Sequence, residues 1–251
     1  MGLISLEIHE NVGVVKLNRG VTNAINLELV NELAENLKDI RNDSDILGLV
    51  LTSSNNKFFA IGFDIPELFE LNMEGFREFY QSFNRLCLDL YTLPKPTIAA
   101  LSGHAIAGGC ILALCCDYRL IAEGRKLMGL NEIKLGVPIP YPADCMLREL
   151  VGVQIAREVT DIGDFYPSDK LLQMGMVDHV FPLEQLQSKA IDKAKLLGTF
   201  PAQAFQMIKY NRIERVETQI RRNLAEKEQF FLECWYSEEA RALLREAIKK
   251  F

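Results

Sequence analysis

The chain has 251 residues, of which 49% are hydrophobic and 25% are charged, a composition that supports one sizeable folded core. Its formal net charge is −6 and it contains no run of Lys or Arg, which argues against nucleic acid or an anionic membrane as the main partner. No stretch is apolar enough to span a bilayer, and the opening MGLISLEIHE alternates like a strand rather than a leader, so we expect a soluble cytoplasmic protein.

Taken in chain order, short strand patterns alternate with helical ones. Strands are predicted at residues 3–8, 12–18, 46–52, 97–101 and 118–122, and helices at residues 27–41, 74–91 and 108–114. From Pro201 onward the apolar spacing is helical throughout. This alternation is typical of an α/β fold, followed here by a helical C-terminal region.

The segment FFAIGFDIPEL, residues 58–68, is an apolar run that ends at Gly62. Asp64 is placed to cap a short helix that begins near Ile65 and Pro66. Such a turn would leave the backbone N–H of Phe63 without a partner. The segment therefore predicts one free backbone donor beside a loop.

A second junction of the same kind is GHAIAGGCILALCCD, residues 103–117, where a strand runs into paired glycines that open an apolar helix. The first N–H groups of a helix lack intrahelical partners, so a bare Gly-Gly there can hold an oxygen that gains negative charge. Close helix–sheet packing that needs small residues explains the same glycines. Two such donors from separate loops would suit an enolate or tetrahedral oxygen.

Glu132 is the candidate base, within MGLNEIKLGVPIPYP directly after the strand that Asp117 begins. A carboxylate set between apolar residues can have a raised pKa and accept a proton near neutral pH. The alternative is a solvated acid at a helix start. Asp144 lies in reach of the same region along the chain, as a second acid or as an ordinary helix cap.

Metal and thiol chemistry find no support in the sequence. The six cysteines show no Cys-x-x-Cys or Cys/His ligand spacing, and most lie in apolar segments, as expected of reduced thiols: Cys87, Cys110, Cys115, Cys116, Cys145 and Cys234. No histidine is spaced to activate Cys110 as a nucleophile.

The FFAIGFDIPEL and GHAIAGGCILALCCDYRLIA segments resemble the crotonase superfamily, also called the enoyl-CoA hydratase/isomerase family. The resemblance extends through LNRGVTNAIN and VDHVFPLEQL to nearly the whole chain. It implies a crotonase-like β-β-α spiral in which strands stack into two sheets, with residues 1–198 forming the core that carries the CoA and oxyanion loops. Residues 199–251 would then form a C-terminal helical trimerisation region that also closes the acyl site, and we expect a homotrimer or a dimer of trimers.

The same resemblance implies a site that takes an acyl-CoA thioester as substrate and needs no other cofactor and no metal. By that resemblance the backbone donors are Phe63 and Gly108, and Glu132 is the catalytic acid–base group. The implied substrate and CoA contacts are Ala24, Ala60, Gly62, Ile65, Ile111 and Tyr141. We also expect the helix around residues 76–90 to form the floor of the acyl pocket.

Relatives often carry a lysine after the Asp-Ile of the first loop, where it assists the CoA phosphates, whereas this chain has Pro66. The phosphate contacts must then come from elsewhere. Arg19, Lys57 and Lys209 are the candidates, and each is equally explained as a surface residue.

Hydratases of the family typically carry two catalytic glutamates, and this chain has Ile111 at the first position and Glu132 at the second. Hydration needs one group to activate water and another to donate a proton, so the isoleucine disfavours it. The phrase GLNEIKLG resembles the mitochondrial-type Δ3-Δ2-enoyl-CoA isomerases, whose catalytic glutamate aligns with Glu132. We therefore expect an isomerase. The alternatives are a hydratase, an acyl-CoA hydrolase or another crotonase chemistry, and a non-catalytic CoA-binding member.

Overall fold

The computed structural model describes residues 2–249, and within them the chain forms ten strands, nine α-helices and one 3-10 helix. The strands are β1 (Ile4–His9), β2 (Val12–Leu17), β3 (Gly48–Ser53), β4 (Phe58–Ala60), β5 (Thr97–Leu101), β6 (His104–Ile106), β7 (Tyr118–Ala122), β8 (Leu127–Gly129), β9 (Tyr166–Pro167) and β10 (His179–Phe181). The helices are α1 (Leu27–Asn42), α2 (Ile65–Phe69), α3 (Met73–Tyr91), α4 (Gly108–Leu114), α5 (Tyr141–Ile162), α6 (Ser168–Met174), α7 (Leu183–Gly198), α8 (Ala202–Trp235) and α9 (Glu238–Ile248). The 3-10 helix is Glu132–Leu135.

The strands build two sheets by a repeated pattern. One sheet has six strands in the order β1-β2-β3-β5-β7-β10, and the other has four in the order β4-β6-β8-β9. Three times along the chain, two successive strands are followed by a helix: β3 and β4, β5 and β6, and β7 and β8. In each case the first strand belongs to the larger sheet and the second to the smaller one. Strands β3, β5 and β7 pair in parallel, and their near-continuous apolar sequences fit strands buried on both faces.

Two apolar clusters hold the layers together. On one face of the larger sheet, α7 covers strand residues such as Val14, Val50 and Ile98. The other cluster is larger and includes both core-sheet residues and residues of α8 and α9, such as Phe231 and Leu244. The apolar core is thus continuous across the predicted boundary between residues 198 and 199. Met1, Lys250 and Phe251, at the ends of the two predicted regions, lie outside the described residues.

The predicted α/β spiral with a helical C-terminus is confirmed, and the five predicted strands and three predicted helices lie within two residues of the observed bounds. The sequence patterns missed strands β4, β6, β8, β9 and β10, which have only two or three residues each. Glu132 does not directly follow the strand begun near Asp117, because β8 intervenes. Among residues 2–249, no helix combines the length and apolar character needed to cross a membrane.

Candidate active site

Three short parallel strands bring the candidate groups together. β4, β6 and β8 are neighbours in the four-stranded sheet, and they pair in parallel. Phe63 follows β4, Gly108 follows β6, and Glu132 follows β8. Because the carboxyl ends of parallel strands meet at one edge of a sheet, all three groups lie at the same edge.

The loop after β4 presents the backbone N–H of Phe63. Gly62 has a φ of +95°, a conformation that favours glycine. Ile25 holds the loop on one side, since its N–H donates to the Gly62 carbonyl at 2.8 Å and its own carbonyl accepts from Asp64 N–H at 2.9 Å. Asp64 caps α2 by accepting from Glu67 N–H. Within residues 2–249, the N–H of Phe63 has no hydrogen-bond partner.

The loop after β6 presents the N–H of Gly108 at the start of α4. Ala107 precedes it with a φ of +47°, uncommon for a residue with a side chain, and its N–H donates to the Gly129 carbonyl at 2.9 Å. The first intrahelical bond runs from Ile111 N–H to the Ala107 carbonyl. The N–H of Gly108 donates to no other group in the described chain.

The two loops are in direct contact, and the glycines allow it. A Cβ on Gly109 would overlap the carbonyl oxygen of Ala60, and a Cβ on Gly62 would lie 3.0 Å from the backbone nitrogen of Gly108. The packing explanation for the small residues is therefore correct. It is also compatible with the donor role, because the close approach places both unpartnered N–H groups in adjoining loops.

Glu132 begins the 3-10 helix and is buried, with 6% of its surface exposed. Burial raises the pKa of its carboxyl group from 4.5 to about 7, an effect that the nearby backbone N–H groups of Glu132 and Asn131 partly offset. Its Oε2 atom has no hydrogen-bond partner in the described chain. A buried carboxylate with a free oxygen and a near-neutral pKa is suited to accept a proton.

These groups open onto a cavity of about 730 Å³. Its walls include the sequence-predicted residues Phe63, Ile65, Gly108 and Glu132. The remaining lining residues are mostly apolar: Thr22, Lys57, Phe58, Ile61, Ile106, Ala107, Asn131, Lys134, Leu135, Val137, Pro140, Phe165, Phe231, Trp235, Leu243, Glu246 and Ala247. Of the acids on these walls within residues 2–249, Glu132 is buried, whereas Glu246 is exposed and pairs with Lys249 at 2.6 Å.

The other residues predicted to contact substrate lie outside this lining. Gly62 packs closely against Gly108, and Ala24, Ala60 and Ile111 are buried. Tyr141 is half-buried at the start of α5, and its hydroxyl accepts from Gln219 and Asn223. Their contacts with substrate stay predictions.

The three candidate phosphate ligands differ in availability. Lys57 lines the cavity. Arg19 is ion-paired with Asp64 at 2.6 Å, and Lys209 is buried against Asp117 at 2.8 Å. Of the three, Lys57 alone lies on the cavity wall, and its contact with phosphate stays a prediction.

The second candidate acid is already paired. The Asp144 carboxylate binds Arg148 one helical turn along α5, at 2.7 Å. Asp144 also lies outside the cavity lining.

The C-terminal helices supply one wall of the cavity, where the family resemblance expects them to close the acyl site. Phe231 and Trp235 of α8, and Leu243 of α9, line it, whereas no residue of the 76–90 helix does. That helix instead packs behind Phe63, with Phe79 and Phe83 edge-on to its ring at 4.8 and 4.9 Å. The apolar stripe of α8 was visible in the sequence, but not which layer it would cover.

The cysteines are free thiols, and all but Cys234 are buried. Burial raises the pKa of the Cys110 thiol well above its usual range, which leaves it protonated and unreactive. Within residues 2–249 the side chains form no cluster of three or more potential metal ligands.

Comparisons with known proteins show the family and the fold of this chain. The family model described as Enoyl-CoA hydratase/isomerase matches residues 7–251. The chain is 35% identical to mitochondrial enoyl-CoA delta isomerase 1 of Mus musculus over 189 residues, 75% of this chain and 65% of the mouse protein, slightly under two thirds of its length. It is 30% identical to a short-chain-enoyl-CoA hydratase of Clostridium acetobutylicum over 248 residues, covering 98% of this chain and 95% of that protein.

Among solved structures, human mitochondrial delta3-delta2-enoyl-CoA isomerase is similar to this chain with a TM-score of 0.95 and 27% sequence identity. The match covers 99% of this chain and 97% of the human chain.

Proposed function

The chain belongs to the enoyl-CoA hydratase/isomerase family, and from that premise we propose that it is an isomerase. In this proposal it moves a 3,4 double bond of an enoyl-CoA to the 2,3 position, with Glu132 as the base. The observation that carries the proposal is that, on the cavity walls of the described chain, Glu132 is the single buried acid. An isomerase needs one base, whereas a hydratase needs an acid and a base.

The proposed reaction begins at the thioester carbonyl. Its oxygen accepts hydrogen bonds from the N–H groups of Phe63 and Gly108, which favours the enolate form. Glu132 removes a proton from C2, and the electron pair of that C–H bond delocalises over the carbonyl and the 3,4 double bond as a dienolate. Glu132 returns the proton to C4, which leaves the double bond between C2 and C3 and regenerates the carboxylate. No electrons are exchanged with a second reactant.

The local chemistry supports this assignment in two ways. A base whose pKa is about 7 is largely ionised just above neutral pH and still basic enough to remove a proton from an activated carbon. The surrounding side chains are mostly apolar, and hydrogen-bond donors stabilise charge best where water is excluded. General-base catalysis contributes roughly 10²- to 10⁴-fold.

Hydration is the second candidate, because the Clostridium acetobutylicum relative is named a hydratase and matches nearly the whole chain. Against it, α4 carries no acidic side chain in its sequence GGCILAL, and Ile111 stands at the position where hydratases have a glutamate. A chain with Glu132 but no acid on α4 should therefore isomerise enoyl-CoA faster than it hydrates it.

The test is conversion of 3-hexenoyl-CoA to 2-hexenoyl-CoA, with hydration of crotonyl-CoA measured alongside. The wild type should isomerise and hydrate little, and Glu132→Gln should lose at least about 100-fold in isomerisation. Asp144→Asn is the matched control and should retain activity, since its carboxylate is paired with Arg148 outside the cavity. Equal loss in both variants, or efficient hydration by the wild type, would refute a single-base isomerase.

A further inference from the structure

Helix α9 lies against the element that follows the first donor loop. Arg241 of α9 covers the ring of Phe69, the last residue of α2, with its guanidinium carbon 3.3 Å from the ring centre. Its Nη2 also donates to the Phe69 carbonyl at 2.9 Å. Next to it, the Tyr236 hydroxyl donates to the Leu71 carbonyl at 2.8 Å. Arg241 of α9 and Tyr236, which lies between α8 and α9, thus satisfy backbone carbonyls at the end of α2 and just beyond it.

The same helix lies against the element that carries the base. Gly136 ends the 3-10 helix that Glu132 begins, with a φ of +73°. A Cβ on Gly136 would lie 3.1 Å from the Cα of Ala240 and 3.1 Å from a methyl group of Leu243. Neighbouring residues of α9 therefore contact the two halves of the site: Ala240 and Leu243 the base side, and Arg241 the donor side.

We propose that Arg241 is a positioning residue that fixes the first donor loop and the base relative to each other through α9. The inference rests on the proposed function. The strands β4 and β8 fix the roots of the two loops, but Phe63 and Glu132 each lie three residues beyond the strand end. The connection through α9 joins the two short helices that follow these loops, α2 and the 3-10 helix.

Arginine suits this contact because one planar group can cover a ring with its face and donate with its edge. The contact is also desolvated, since the Arg241 Nη1 atom is buried without a partner in the described chain, and burial lowers the pKa of the guanidinium. The other end of α2 is held separately, by Arg19 paired with Asp64 and Glu67. Loss of Arg241 would thus release one end of α2 and leave the other in place.

The experiment measures kcat per binding site, with the sites counted by calorimetric titration with hexanoyl-CoA, which has no double bond to move. Arg241→Ala should lower kcat per site roughly 10- to 100-fold with KM changed less than about threefold, because a small displacement costs mainly transition-state stabilisation. Arg241→Lys keeps the cation and should recover part of the rate. If Arg241→Ala does not fold, the intermediate rate of Arg241→Lys carries the test.

Arg245→Ala is the matched control, since Arg245 lies 5.6 Å from the same ring, and it should behave like the wild type. A purely structural role predicts fewer binding sites in Arg241→Ala with unchanged kcat per site, and that result would overturn the proposal. An active wild type whose Arg241 variants keep full kcat per site refutes only the positioning role. A wild type that does not isomerise 3-hexenoyl-CoA refutes the proposed function and, with it, this inference.

Discussion

At the scale of single residues, the site depends on three groups at one sheet edge that have no hydrogen-bond partner within residues 2–249. Two are backbone N–H groups and the third is the Oε2 atom of Glu132. Unpaired polar groups destabilise a fold when they are buried, and they persist where a ligand completes them. We therefore expect these unpaired groups to lower the stability of the fold while they serve to bind a ligand.

The first prediction tests this expectation at Glu132. A carboxyl whose pKa is raised by folding stabilises the fold below its unfolded pKa and loses that contribution as pH rises through its folded pKa. With a rise from 4.5 to about 7, the wild type should lose about 3 kcal/mol between pH 4 and pH 8 from this group alone. Glu132→Gln, which cannot ionise, should be more stable than the wild type at pH 8 and similar to it at pH 4.

Urea unfolding of both proteins at the two pH values measures this difference. Asp144→Asn serves as the control because the Asp144 carboxylate is partly exposed and paired with Arg148. Its replacement should therefore not raise the free energy of unfolding at pH 8. An equal effect of Glu132→Gln at both pH values would show that Glu132 is not desolvated.

The second prediction concerns Phe63, whose ring lines the cavity while its N–H is the proposed donor. Phe63→Ala keeps the backbone donor and removes the ring that packs on Phe79 and Phe83. We expect acyl preference to shift toward bulkier chains more than turnover falls. The measurement is kcat/KM across a series of 3-enoyl-CoA chain lengths, and an equally large loss on every substrate would contradict the expectation.

The sequence was most informative at this scale. Phe63 and the glycine pair follow from short motifs, because a loop that must expose N–H groups needs glycines and a cap close by in the chain. Gly108 as the second donor comes from the family resemblance, and Glu132 is a candidate base because apolar residues flank it. The apolar residues around Glu132 predict a raised pKa, but they do not show how far it rises. The size of the shift depends on how the 3-10 helix packs against α5 and α9, and α9 is remote in sequence.

At the scale of elements, the contact between β4 and the start of α4 decides how close the two donors come. We predict that Gly109→Ala disrupts it, since the new Cβ would overlap the Ala60 carbonyl oxygen and α4 would have to move away. The loss should be about 1–3 kcal/mol of stability, with kcat lowered about 100-fold.

Chemical denaturation of Gly109→Ala measures the loss of stability, and a turnover assay measures the fall in kcat. Gly75→Ala is the matched control: its Cβ would lie 3.4 Å from the Asn72 side-chain oxygen, an ordinary contact, in the first turn of α3. Normal activity in Gly109→Ala would mean that catalysis does not depend on the close contact between Gly109 and Ala60.

Longer elements were predictable and short ones were not. The strands of the larger sheet have five or six residues, apart from β10, and show a readable apolar pattern, whereas β4, β6 and β8 have three residues each. A pattern of three residues cannot show alternation. The apolar stripe of α8 by itself shows that a face is buried but not what buries it, and its place at the acyl site was expected only from the family resemblance.

At the scale of the whole molecule, one surface of α8 remains apolar and exposed. Met207, Ile208 and Tyr210 are each more than half exposed, as is nearby Phe200. Apolar patches of this kind on a folded chain commonly mark contacts between subunits. They are compatible with the homotrimer or dimer of trimers expected from the sequence.

We therefore predict that light scattering after size-exclusion chromatography gives three or six times the mass of one chain. Ile208→Asp should dissociate the assembly by placing a charge in the apolar patch. Arg222→Asp, at an exposed position elsewhere on α8, is the control and should leave the mass unchanged. A monomeric wild type would contradict the prediction.

The wall formed by α8 and α9 also has a consequence for biosynthesis. The donors and the base belong to residues 63–132, whereas Phe231, Trp235 and Leu243 leave the ribosome well after them. A nascent chain can thus fold its sheets while the pocket still lacks one side. The cavity is complete only when translation has passed α9, so an unfinished chain lacks one of its walls.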